Sequence, residues 1–281
     1  MIILDTVNVI NLVPKFLSFY KTAIQQNLDE EKRWELWKDT YNFAAVPPTD
    51  EGREIARNLL DNAWNQYESY IPIFEKWIPE SEKVKAFLGE VKNLLGYDYK
   101  IEFTVIYFVG GFEDNPFVAP IGENKVALCL PIETEQSDIY LVHELTHVVH
   151  QKTANMKNDW ERNIASIIMQ EGLATHVSKQ LIPGHKEKEY IEISHGWLKS
   201  CHKNKEEIIK NIIPYLEDSE PESVMKFTMG NGSTNHHREA YFVGWLFVKF
   251  LLQQGMSIEE IAHIQEDEIP QYISQNYKDL L

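Results

Sequence analysis

The segment IYLVHELTHVVHQ, residues 139 to 151, sets three histidines and a glutamate into an apolar run. Wound as an α-helix at about 100° per residue, Leu141, Val142, Leu145, Val148 and Val149 fall on one side. His143, His147 and His150 fall on the other, within about 60° of one another. His143 and His147 are one turn apart, the spacing at which two imidazoles on a helix surface reach one metal ion. Glu144 lies beside them, where it could take a proton from a metal-bound water. His143-Glu144-Leu145-Thr146-His147 is an HExxH motif.

A catalytic zinc ion takes three protein ligands and leaves its fourth position to water. His150 lies about 10.5 Å along the helix from His143, too far to share an ion with ligand bonds of about 2 Å. Position 153, where a third histidine would extend the motif, is Thr153. The third ligand must therefore come from another element. The best candidate is in WERNIASIIMQEGLATHVSKQL, read as an amphipathic helix from about 159 to 181. There Glu171 interrupts an apolar face of Ile164, Ile167, Ile168 and Leu173. Gly172 beside it costs a helix about 1 kcal/mol relative to alanine but admits a neighbouring helix closely. His176 is the rival ligand. It lies about 140° around the helix from Glu171, so one ion can hardly bind both.

HELTH followed by QEGLA resembles the gluzincin metallopeptidases, and more closely a bacterial family of zinc-dependent proteases predicted from sequence. In that family a β segment precedes HExxH and a helix carrying Glu-Gly-Leu-Ala follows. The resemblance covers residues 101 to 176 and extends weakly to YFVGWLFVKFL near the end. It implies a zincin-like fold and one zinc ion (Zn2+) per chain, held by His143, His147 and Glu171. Glu144 would be the general base in peptide-bond hydrolysis. Gluzincins also bring a histidine or tyrosine from a C-terminal segment to the oxyanion. In NGSTNHHREAYFVGW the candidates are His236, His237, Arg238 and Tyr241. Tyr241 and His237 rank first, because both could project from the start of a helix. Two departures stand out. His147 and Glu171 are 24 positions apart, more than in thermolysin-like enzymes. Thr175 stands where those enzymes place an aspartate that orients a metal histidine.

The elements that must position these residues are mostly helical. Residues 15 to 95 carry apolar side chains at three- and four-residue spacing, punctuated by Pro47-Pro48 and Pro79, with Ser81 and Gly96 suited to a cap and a stop. Trp34, Trp37, Trp64 and Trp77 read as core. The texture changes at residue 100: KIEFTVIYFVGG and VALCLPI read as strands, with a turn at residues 122 to 124 between them. The expected sheet is small and antiparallel. IEFTVIYFV is expected at its edge, hydrogen-bonding an extended peptide, with GGFEDNPF lining the cleft. From Ser137 onward the pattern is helical, with Ser137 or Asp138 as N-cap and stops near Pro183-Gly184, Pro214, Pro221 and Gly255. The fold class read from this is α+β, mostly helical, with a small sheet next to the HExxH helix. The organisation is a helical N-terminal region over 1–98 and a catalytic region over 99–281, or one continuous domain.

Bulk properties narrow the partners. Among 281 residues, 27 Lys and Arg face 43 Asp and Glu, a formal net charge of −16. No basic block stands out, which argues against nucleic acid or an anionic membrane. Two cysteines, Cys129 and Cys201, make neither a disulfide framework nor a metal spacing. The first residues, MIILDTVNVINLVPKFLSFYK, lack a basic start and are broken by Asp5, Asn8 and Asn11. The expectation is a cytoplasmic zinc peptidase acting on peptide or protein substrates. A zinc-binding module without turnover, or a zinc hydrolase of non-peptide amides, fits the same motif.

Overall fold

The computed structural model describes residues 5–46, 49–113, 115–122, 125–133, 137–157 and 162–280. The chain divides into two compact units, Met1–Lys85 with Lys100–Ser137, and Ala86–Tyr99 with Asp138–Leu281. Among the described residues it is mostly helical, with one four-stranded sheet.

The first unit runs β1 (Thr6–Asn11), α1 (Val13–Gln25), α2 (Glu30–Thr40), α3 (Asp50–Phe74) and the start of α4 (Ser81–Leu95). It then returns through β2 (Glu102–Phe108), β3 (Phe117–Gly122) and β4 (Lys125–Pro131). Asp29 caps α2 by accepting from the Lys32 amide at 2.9 Å, and Thr49 caps α3 by accepting from Gly52 at 3.1 Å. The Pro47-Pro48 break lies outside the described residues. Phe16 centres an aromatic core, with ring centroids of Tyr67 at 4.8 Å and Tyr41 at 5.4 Å, both edge-on. Trp34 and Trp37 are buried and stacked at 4.9 Å. The half-buried Trp64 lies under the Arg33 guanidinium, which also pairs with Asp61 at 2.7 Å.

The sheet differs from the expectation. Its order is β1-β2-β4-β3, with β1 and β4 both parallel to β2 and only β3 antiparallel, against β4. The β3–β4 hairpin presents β4, not β3, to β2, and that makes the pairing parallel. The turn residues 123 and 124 lie outside the described residues. β1 forms from an N-terminal segment not read as a strand, because its polar Asn8 and Asn11 break up the apolar signal. As a result β2 is interior and bonded on both sides, so it cannot accept a peptide along an edge. The outer strands are β1 and β3, and β3 carries Pro120 at a register shift. Ile106, Phe108, Ala127 and Cys129 form a core cluster on the sheet.

The segment after β2 is pinned by two buried tyrosines. The Tyr41 hydroxyl donates to the Val109 carbonyl at 2.8 Å, and the Tyr67 hydroxyl donates to the Gly110 carbonyl at 2.6 Å. Residue 114 of GGFEDNPF lies outside the described residues.

The second unit takes up the end of α4, which stops at Gly96 (φ +66°), then α5 (Asp138–Thr153) and α6 (Ile164–Leu181). Short helices follow: α7 (Glu187–Ile191), α8 (Trp197–Lys203), α9 (Lys205–Ile212) and α10 (Pro221–Thr228). Then come α11 (Glu239–Gln253), α12 (Ile258–Ala262) and α13 (Ile269–Asn276). α6 begins later than the sequence suggested. Asn163 caps it, accepting from the Ser166 amide at 2.8 Å, and residues 158–161 lie outside the described residues. Pro221 opens α10 rather than stopping a helix, since the first turn needs no N–H from it. No helix among the described residues is long and apolar enough to cross a membrane.

α11 packs along α6, and two glycines set how closely. A Cβ on Gly172 would run into the Gly244 carbonyl, and a Cβ on Gly244 would run into the carbonyl of Ile168. The two backbones therefore meet directly, which only glycine permits at both positions.

Candidate metal centre

α5 carries the HExxH residues as the periodicity predicted: Leu141, Val142, Leu145, Val148 and Val149 are buried. The opposite side is more enclosed than amphipathy suggests. His150 is 0 % exposed, and Thr146, Gln151 and Thr153 are buried as well.

His143 and His147 meet Glu171 across the α5–α6 pair. His143 Nε2 lies 3.1 Å from Glu171 Oε2, and His147 Nε2 lies 3.6 Å from Oε1. The two imidazole rings are nearly perpendicular, with centroids 4.8 Å apart. The three side chains are 14–15 % exposed, so the cluster is mostly dry but open on one side. The Glu144 carboxylate is also near: one donor atom each of His143, Glu144 and His147 fall within 4.8 Å of one another.

Two glutamates thus compete for the third-ligand position. Consecutive side chains on a helix diverge by about 100°, so Glu144 leaves α5 on a different bearing from His143 even though its carboxylate comes close. Glu171 approaches from the facing helix and meets both imidazoles. The donor set fits zinc. Two imidazole nitrogens and a carboxylate oxygen are zinc's usual catalytic ligands, and with bonds of about 2.0–2.1 Å tetrahedral donors sit about 3.3 Å apart. His143 and His147 meet different oxygens of Glu171, at 3.1 and 3.6 Å, so each imidazole stands within about that spacing of the carboxylate.

The electrostatics are those of an interlocked cluster. Burial pulls His143 down, but the hydrogen bond and charge of Glu171, with Glu144, hold it above the usual histidine value. Burial takes His147 down to about 4 against the pull of Glu171. Burial would raise Glu171, yet His147, His143 and Arg238 together hold it below the ordinary carboxylate range. Glu171 is therefore an ionised acceptor, as a ligand must be.

α11 completes the surroundings. Tyr241, one turn before Gly244, has its hydroxyl pKa raised strongly by burial and by the charge of Glu171, with Glu144 and a hydrogen bond to Glu171 adding to it. It remains a phenol at any working pH. Arg238 sits over the Tyr241 ring at 5.3 Å, and its charge reaches Glu171. Its left-handed backbone, φ +55°, turns the loop into the helix. The loop is anchored by the fully buried Glu239, whose Oε1 accepts from the Thr234 amide at 2.8 Å and whose Oε2 accepts from the Ser233 amide at 2.9 Å. Both hydroxyls donate to it as well.

The other sequence candidates make their contacts with other residues. The His237 side chain is exposed, and its main-chain carbonyl accepts from Trp197 Nε1 at 2.7 Å. His236 is tied to Ser200 and Thr234. His176 stacks on Trp245 at 4.1 Å and donates through Nε2 to the Trp245 carbonyl at 3.0 Å, a helix-packing role. The Thr175 hydroxyl donates to the Glu171 carbonyl at 2.8 Å, within its own helix. Sequence reasoning passed over Arg238 in favour of its neighbour; its place three residues before Tyr241, one helical turn, was the available signal.

No protein-family model, curated protein or solved structure matches this chain.

Proposed function

We propose that the chain is a zinc-dependent peptidase of the zincin type, working in a reducing, cytoplasmic setting on peptide or protein substrates. The observation that carries the reading is the arrival of Glu171, from a separate helix, at 3.1 and 3.6 Å from the two HExxH imidazoles. His143, His147 and Glu171 would hold the ion. Bound there, zinc would supply a Lewis acid that polarises a scissile carbonyl and acidifies water. Glu144 accepts the proton of the attacking water and returns it to the leaving amine. Tyr241, kept protonated, donates a hydrogen bond to the carbonyl oxygen as negative charge develops there. Arg238 offsets the carboxylate charge around the same spot.

One observation favours a second reading, a zinc-binding module without turnover. The Nδ1 atom of His147 has no protein partner among the described residues, and Thr175 does not provide one. Metal analysis and turnover separate the two. Wild type should carry about one zinc per chain, Glu171→Ala clearly less, and Glu144→Gln the same as wild type. Cleavage of unfolded protein or of a quenched peptide library should drop by roughly 10²–10⁴-fold in Glu144→Gln. Zinc without any cleavage in the wild type would favour the module. No zinc in the wild type, even after reconstitution, would end both readings.

A further inference from the structure

On α5 and α6, beside the residues of the cluster, four buried nitrogens have no hydrogen-bond partner among the described residues: Nδ1 of His147, both ring nitrogens of His150, and Nε2 of Gln170. His150 is 0 % exposed and Gln170 3 %. They belong to one neighbourhood. His150 follows His147 by one turn of α5, and Gln170 precedes Glu171 on α6. Arg162 ties them together, donating through a terminal nitrogen to Gln170 Oε1 at 2.5 Å while its charge is felt by both histidine rings.

Leaving one buried donor or acceptor unmade costs about 1–3 kcal/mol, so several together demand an explanation. The hydrogen-bonding capacities of three of these four nitrogens are complementary to a single water molecule. Arginine only donates, so Gln170 must give Arg162 its oxygen, which leaves Nε2 as a donor. His147 turns Nε2 towards Glu171. As a ligand nitrogen it carries no proton, so Nδ1 carries it and is a second donor. The buried, neutral His150 offers one acceptor nitrogen. A water can accept from Gln170 and His147 and donate to His150. Three partners are what an internal water usually has.

We propose that a buried water held by Gln170 and His150 orients His147, doing the work that a carboxylate does in other metal sites. His150 and Gln170 are then positioning residues for the metal. This rests on the zinc reading above, and the test keeps the two apart. Zinc affinity would be measured on the full chain by competition with a chromophoric chelator, alongside the visible spectrum of the cobalt-loaded protein. The set is wild type, Gln170→Leu, His150→Leu and Gln170→Glu, with circular dichroism to verify folding.

Both leucine variants should fold and bind zinc about 10–100-fold more weakly, with shifted cobalt bands. Gln170→Glu can still accept from Arg162 and would also accept from the water. The water then donates to that carboxylate and to His150 and accepts from His147 alone, so this variant should bind at least as tightly as wild type. Folded leucine variants with wild-type affinity and an unchanged cobalt spectrum would overturn the positioning role and leave the zinc site standing. A wild type that takes no zinc would overturn both. If the leucine variants do not fold, Gln170→Glu decides: tight binding supports the proposal, and a tenfold loss overturns it.

Discussion

Gly172 on α6 and Gly244 on α11 face each other with no side chain between them, and Glu171 and Tyr241 are placed by that contact. Glu171 is the residue next to one glycine, and Tyr241 lies one turn from the other. A methyl group at position 172 would fall on the Gly244 carbonyl and within 2.8 Å of a Val248 methyl. Gly172→Ala should therefore destabilise the protein by about 1–3 kcal/mol despite its better helix propensity. It should weaken zinc binding at the same time. Urea unfolding and a zinc titration check both, and a variant of wild-type stability would mean that the helices part without strain.

Tyr241→Phe removes a hydroxyl that burial and the nearby carboxylates keep protonated. If it serves the oxyanion, kcat falls by about 10²–10³ while zinc affinity stays within a few-fold. The opposite split, weaker zinc with normal kcat, would make Tyr241 a support for Glu171 instead.

Glu239 holds the loop that delivers Arg238 and Tyr241. Glu239→Ala would leave the Ser233 and Thr234 amides without their acceptor, and a loss of about 2–4 kcal/mol is expected. Proteolysis near residues 230 to 235 should increase in parallel. A stable, protease-resistant variant would show that the loop keeps its form by other means.

Acid should unfold the second unit through its buried histidines. Burial first, then Lys179 and Lys249, take His176 down to about 4, and burial takes His150 down to about 3. In the unfolded chain both protonate near pH 6.5. Between about pH 6.5 and 4 the unfolded state thus binds more protons, and stability is lost as pH falls through that window. Each histidine contributes a slope of about 1.4 kcal/mol per pH unit. His176→Gln keeps a donor for the Trp245 carbonyl and should flatten the metal-free acid limb by about one proton, as read by urea melts from pH 7 to 4.5. An unchanged slope would place the proton uptake elsewhere.

The arrangement of the candidate centre was partly legible from the chain. HExxH on a helix fixed the relation of His143 to His147, and a lone carboxylate beside glycine on the next apolar helix pointed to Glu171. Both signals are local, since they depend on helical period and on what an apolar face tolerates. The sheet was less legible. β1 pairs with β2 across about 90 residues of intervening sequence, and no periodicity within either strand encodes such a partner. The burial of His150 was equally hidden, because a helix enclosed on most sides does not announce it in a polar–apolar pattern. The exposure of His237 was hidden for the converse reason: a loop's course is set by anchors such as Glu239 and not by how close a histidine stands to a helix start.

Pro120 in the outer strand β3 has a consequence for how these molecules behave in a crowd. A proline has no amide proton to offer an incoming strand, and the irregular register at Pro120 and Gly122 skews the ladder beside it. That rim of the sheet is thereby made a poor template for another chain. β1, with Val9 40 % and Ile10 44 % exposed, carries no such guard. Self-association of this protein under stress should start there, and a lysine at position 9 or 10 should delay it.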